Sequence, residues 1–219
     1  MTVRFDYIQR SNHSILEMNT TELKNTVGKN KEIPAKYEKV ILEALAGYPE
    51  LKDTHIVFKL KKQHPVPYGT VPLLGSLFQK PENRVYHIAI LEESKPPEEQ
   101  VLFRNLSYPM QLGVIAHELV HVIQFQECSR LRLLRYFLSY PTPAFQRRLE
   151  RDADKRTIEH GFGEELLTHA RYIRSVPGYV EQRKAINENY LKPQEILDYM
   201  TKLKAKRPGQ HRRQKSQSA

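Results

Sequence analysis

The sequence predicts an α+β fold, and three observations carry that prediction. Residues 54–60 (THIVFKL) and 84–91 (RVYHIAIL) alternate β-branched and aromatic side chains with polar ones, the period of strands. From about Pro109 onward the apolar residues recur at helical spacing instead. Strands that come first and helices that follow form separate layers, unlike the regular alternation of a parallel α/β protein.

The elements follow in order. Residues 34–47 (PAKYEKVILEALAG) read as a helix, with Pro34 suited to its first position and Ile41, Leu42 and Leu45 as its apolar stripe. After the strand at 54–60, residues 65–78 (PVPYGTVPLLGSLF) are too rich in Pro and Gly for a central strand. They lack phosphate-loop spacing and read as a loop rimming a cleft. Residues 110–126 form a strongly apolar helix, and 130–138 (RLRLLRYFL) a short basic amphipathic one. Such a basic stripe can lie on a membrane surface, but the expectation here is core packing with the Arg heads in solvent. A break at Pro141–Thr142–Pro143 precedes a helix over 144–160, which Gly161 and Gly163 terminate. Further helices are expected at 163–175 and 193–205.

Composition bounds the function. A chain of 219 residues, 39% hydrophobic and 27% charged, fits an ordinary globular domain, placed at 1–201. Cys128 is the single cysteine, which excludes an internal disulfide and a cysteine-ligated zinc site. No stretch approaches the roughly 18 apolar residues of a membrane span, and the N-terminus has no signal-peptide pattern, so a cytoplasmic location is expected. The net charge of +10 is concentrated at one end: residues 202–219 carry seven Lys or Arg and no acid. That basic tail is expected to be disordered. It reads as a solubilising terminus, with a tether to nucleic acid as the sharper alternative.

The chemistry centres on His117-Glu118-Leu119-Val120-His121, an H-E-x-x-H motif inside the apolar helix. Residues four apart share a helix face, so both imidazoles can converge on one Zn²⁺. Glu118, beside the first ligand, can take the proton of a water that the ion activates. Two His and a Glu would be costly to bury in such a segment without a partner. A catalytic zinc takes a third protein ligand. Gln124 stands where the extended form of the motif has glycine, and 122–130 contain no His. The best candidate lies in LERDADKRTIEHG, where Glu150 and Asp154 are four apart. Glu150 can bind the metal, and Asp154 can hold the His117 imidazole in one tautomer. Asp152, Glu159, Glu127 and His160 are weaker candidates for the third ligand.

H-E-x-x-H followed by E-x-x-x-D on a second helix resembles the gluzincin, thermolysin-like branch of the zincin metallopeptidases, over about residues 84–165. The resemblance implies a small mixed sheet, an active-site helix and a mainly helical C-terminal half. It implies one catalytic zinc on His117, His121 and Glu150, with Glu118 as general base and Asp154 orienting a histidine. It implies a peptide or protein substrate laid along an edge strand, by position Arg84–Leu91. A donor for the oxyanion is also expected, and His160, His169, Tyr172 and Tyr179 are the candidates. Peptide hydrolysis is thus the expected function. A nucleic-acid-associated protease and a non-catalytic zinc-binding interaction protein are the alternatives.

Overall fold

The computed structural model describes residues 19–206 apart from 141 and 183. Helix α1 (Thr20–Val27) comes first, with Asn19 and Glu22 forming a capping box at its start. Strand β1 (Lys31–Glu32), helix α2 (Glu38–Ala46), and strands β2 (His55–Lys61), β3 (Tyr68–Pro72) and β4 (Val85–Leu91) follow. The sheet has the order β1-β2-β4-β3. β2 and β4 are parallel, with Phe58 opposite Ile88, and β3 is antiparallel to β4, with Thr70 opposite Ile88. The α+β class holds: a small four-stranded mixed sheet precedes a mainly helical C-terminal half.

Two expectations about the sheet are corrected. The segment 65–78 is not only a loop, because five of its residues form β3. Its prolines do keep it out of the interior: β3 is an edge strand, where Pro72 can sit at the last position without breaking a central ladder. The strand at 84–91 is consequently not the edge. β4 pairs on both sides, and Ile88 and Ile90 are fully buried. The helix expected over 34–47 starts as a 3-10 turn at Ala35–Tyr37 and becomes α-helical at Glu38.

The helical half comprises α3 (Tyr108–Gln126), α4 (Arg130–Ser139), α5 (Pro143–Glu159), α6 (Gly163–Ser175), α7 (Tyr179–Gln182), α8 (Ala185–Asn189) and α9 (Pro193–Ala205). At 1.5 Å per residue, α3 is about 28 Å long. Every residue from Gly113 to Phe125 is buried, because α2, β3, α5 and α6 all pack against it. Gly113 permits the closest of these approaches: a Cβ there would lie 2.8 Å from the backbone of Glu165 on α6. At the other end, the buried Arg84 guanidinium donates to the carbonyls of Phe125 (3.0 Å) and Cys128 (2.8 Å). Carbonyls at a helix C-terminus lack partners and carry partial negative charge, so a cation there both satisfies and neutralises them. Arg84 thereby fixes α3 against the start of β4.

Helix α4 divides its apolar residues. Leu133 and Tyr136 join the main core, while Leu131 and Leu138 are exposed, so its stripe is only partly core. Helix α9 runs to Ala205, past the expected tail boundary at 202, and carries Lys202 and Lys204 in its last turn. The rest of the basic tail (207–219) and the N-terminal residues 1–18 lie outside the described residues. Among the described residues no helix is long and apolar enough to cross a membrane.

Candidate metal centre

The two histidines of the motif sit in the buried middle of α3, and Glu150 reaches them from α5. His117 Nε2 and His121 Nε2 are 3.1 Å apart, and each lies 3.2 Å from Glu150 Oε2. The three atoms form a nearly equilateral triangle. Ligand atoms about 2.0–2.1 Å from a tetrahedral zinc stand roughly 3.3–3.4 Å from one another, so the triangle has the size of three zinc ligands with a fourth position open.

The far side of each ring explains why these atoms offer lone pairs. His121 Nδ1 lies 2.8 Å from Gln124 Oε1, an acceptor, so the ring proton belongs on Nδ1 and leaves Nε2 bare. Gln124 is fixed in that orientation by its own amide, which donates to Leu149 O (3.1 Å) and Asp152 Oδ2 (3.0 Å). His117 Nδ1 lies 3.0 Å from Asp154 Oδ1, an ion-pair contact that sets the carboxylate behind the ring. Asp154 is buried, and its Oδ2 accepts from the Leu191 amide at 2.7 Å. Three electron-rich atoms at this separation repel one another unless a cation lies between them. A single proton bridges one edge of the triangle, whereas a metal ion bonds all three corners. The buried His-His-Glu group is therefore able to hold a metal ion.

The electrostatics agree with a cation site. Burial alone pushes His117 down, but Asp154 and Glu150 lift it well above the usual imidazole range. His121 is likewise depressed by burial and raised overall by Glu150. Burial pushes the Glu150 carboxyl up, yet His121 and His117 hold it well below the usual carboxylate range.

Glu118 follows the first ligand and is also buried. Its Oε2 accepts the Thr70 hydroxyl at 2.7 Å, and the same hydroxyl lies 3.1 Å from its backbone carbonyl. This bond ties the motif to the edge strand β3. The chain of dependence runs further on the opposite wall. Arg174 of α6 donates to the carbonyls of Ile186 (3.3 Å) and Leu191 (3.2 Å), holding the segment whose Leu191 amide secures Asp154.

The structure thus brings together His117, His121, Glu150, Asp154 and Glu118, as the sequence pattern predicts. The four expected oxyanion donors separate into two groups. His169 and Tyr179 line a cavity beside His117 and Glu118. His160 does not: it stacks on Tyr48 with ring centroids 4.3 Å apart and lies 3.0 Å from Glu50 Oε1. Tyr172 donates its hydroxyl to Gln100 O and does not line the cavity either. The weaker ligand candidates are engaged elsewhere. Asp152 receives Gln124 and Arg156, Glu127 pairs with Arg156, and Glu159 accepts from Tyr199. Cys128 is a half-buried thiol that burial pushes up, and it is not in the triangle.

Two residues emerge that the pattern did not nominate. Gln124 had a legible signal, being a polar residue on a buried face three positions after His121. Tyr190 had none, since it lies in the segment before α9, far along the chain. Its ring centroid is 5.7 Å from that of His117. Burial pushes its phenol well above the ordinary range, with Glu150 and Glu118 adding to the effect.

Compared with protein-family models, with curated proteins and with solved structures, the chain matches none.

Proposed function

We propose that the chain is a zinc-dependent peptidase of the zincin type. The observation that carries this reading is the triangle of His117 Nε2, His121 Nε2 and Glu150 Oε2, with Asp154 Oδ1 and Gln124 Oε1 behind the two Nδ1 atoms. Nitrogen and oxygen donors in a three-plus-one arrangement suit Zn²⁺. Zn²⁺ bound there would lower the pKa of water and polarise a substrate carbonyl.

The chain's own residues supply the rest. With one carboxylate oxygen of Glu118 receiving Thr70, the other is left to accept a proton from the attacking water and pass it to the leaving amine. Gln124 keeps the His121 imidazole in the ligating tautomer, and Asp154 stands behind the His117 ring. Tyr190, half-buried beside His117, is the phenol best located to donate to a developing oxyanion. Among the described residues β3 pairs on one side only, next to the Thr70–Glu118 bond, and an extended peptide can add to such an edge.

The test is Glu118→Gln in the full chain. It retains bound zinc and loses peptide hydrolysis by about 100-fold or more, the range for removal of a general base. Unchanged turnover in the variant would remove Glu118 from the reaction and the reading with it.

A further inference from the structure

The exposed apolar side chains of this molecule are not scattered. Among the described residues the four most exposed large ones are Phe78 (80%), Leu74 (75%), Leu138 (72%) and Leu131 (66%). They come from two segments only. Leu74 and Phe78 lie in the turn that follows the edge strand β3 (73–80), and Leu131 and Leu138 lie on α4. A single exposed apolar residue needs no explanation, but such a concentration marks an interaction site.

Both segments divide their apolar residues in the same way. Leu77, between Leu74 and Phe78, packs against the main core while its two neighbours stay in solvent. On α4, Leu133 and Tyr136 belong to the core. Leu131 and Leu138 are seven residues apart, two helical turns, so they share the opposite side of the helix. α4 therefore has an outward apolar face as well as an inward one. The two segments are tied to the same end of α3. Ser76, between Leu74 and Phe78, accepts the Val85 amide at 3.1 Å. Next to Val85, Arg84 donates to Cys128 O at 2.8 Å, two residues before α4 begins.

Charge names the partner. Residues 54–81 hold four Lys and no acid, and residues 128–149 hold five Arg and no acid. Lys80, Arg130, Arg132 and Arg135 are exposed beside the apolar anchors. Of the two acids nearest in sequence, Glu82 and Glu127, the second is paired with Arg156. A second copy of the chain on this face would set these cations against their own kind, because a two-fold contact joins a patch to itself. An acidic surface neutralises them instead. The anchors protrude from a turn and from the outer side of a helix, and a bilayer accepts protruding apolar groups without a shaped counterpart.

We propose that this face docks the chain on an anionic lipid bilayer. Leu74, Phe78, Leu131 and Leu138 enter the boundary between headgroups and acyl chains, and Lys80, Arg130, Arg132 and Arg135 meet the acidic headgroups. The docked face borders the metal centre: Thr70 of β3 donates to Glu118, and Tyr140, which caps α4, lies within the electrostatic reach of Glu150 and Glu118. The inference does not depend on the peptidase reading.

The chain contains no Trp, so Phe78→Trp places a single fluorescent reporter in the face. The full chain carrying it is mixed with phosphatidylcholine vesicles made with and without phosphatidylserine. Its emission is expected to move to shorter wavelength with the anionic vesicles and to be quenched by brominated acyl chains. Cosedimentation of the wild type should show binding about tenfold or more tighter when phosphatidylserine is present. The basic residues of 202–219 are drawn to the same vesicles by charge alone, so a second variant separates the two contributions. Phe78→Ser combined with Leu138→Ser leaves every cation in place and is expected to weaken binding about tenfold or more. Both positions are exposed, so the double variant should keep the wild-type melting temperature. Unchanged binding by the double variant, a reporter whose emission does not move, or equal binding to neutral vesicles overturns the proposal. A chain that docks in this way but cleaves no peptide keeps the docking face and removes the peptidase.

Discussion

Thr70 donates its hydroxyl to Glu118 Oε2 at 2.7 Å, joining the sheet's edge strand to the proposed catalytic carboxylate. The bond aims one carboxylate oxygen and leaves the other for proton transfer. Thr70→Val keeps the shape and removes the donor. Turnover is expected to fall about 10–100-fold, with zinc content unchanged. Steady-state kinetics on a peptide substrate beside metal analysis checks this, and unchanged kcat would show that Thr70 does not position the base.

Asp154 and Gln124 support the two ligand rings from behind. Asp154→Asn and Gln124→Ala should each weaken zinc binding about 10–100-fold. Competition with a chromogenic chelator measures the affinity. Wild-type affinity in both variants would mean that the ring orientation does not depend on these contacts.

His169 gives a pH signature. Burial pushes its imidazole down to about 3, with His117 and Arg174 adding to the effect. The unfolded chain takes up a proton near pH 6.5, and the folded chain does so only near 3. Between these values the unfolded state binds more protons, so stability rises with pH across the window and is lost as pH falls through it. The contribution is on the order of a few kcal/mol. Urea denaturation from pH 7 to 4, with chelator present so that metal loss plays no part, should show a shallower decline for His169→Leu than for the wild type. Parallel declines would contradict the prediction.

Gly113 allows α6 to press against α3, and a Cβ would meet the Glu165 backbone at 2.8 Å. Since backbone cannot swing aside as a flexible side chain can, Gly113→Ala should destabilise the fold by about 1–3 kcal/mol. The urea midpoint of the variant reports this, and a midpoint at or above the wild-type value would show that α6 shifts freely.

The site was legible where its geometry is local. The spacing of His117 and His121 sets their common face, and the spacing of Glu150 and Asp154 does the same on α5. Helix positions followed from apolar periodicity. What depended on tertiary contact was not legible. β3 is short and Pro-rich, so only its pairing with β4 reveals it as a strand and displaces 84–91 from the edge. Tyr190 reaches His117 because Arg174 ties down its segment, a relationship between residues remote in sequence. His160 looked equivalent to His169 in sequence, yet stacking on Tyr48 turns it away.

The central claim is that His117, His121 and Glu150 together hold one zinc ion. The direct measurement is the zinc content of the purified full chain and of Glu150→Ala, after loading with zinc and exhaustive dialysis. The account predicts one zinc per wild-type chain and a loss of most of it in the variant, with the variant still folded by circular dichroism. A wild-type chain that retains no zinc, or a Glu150→Ala chain that retains as much as the wild type, would contradict it.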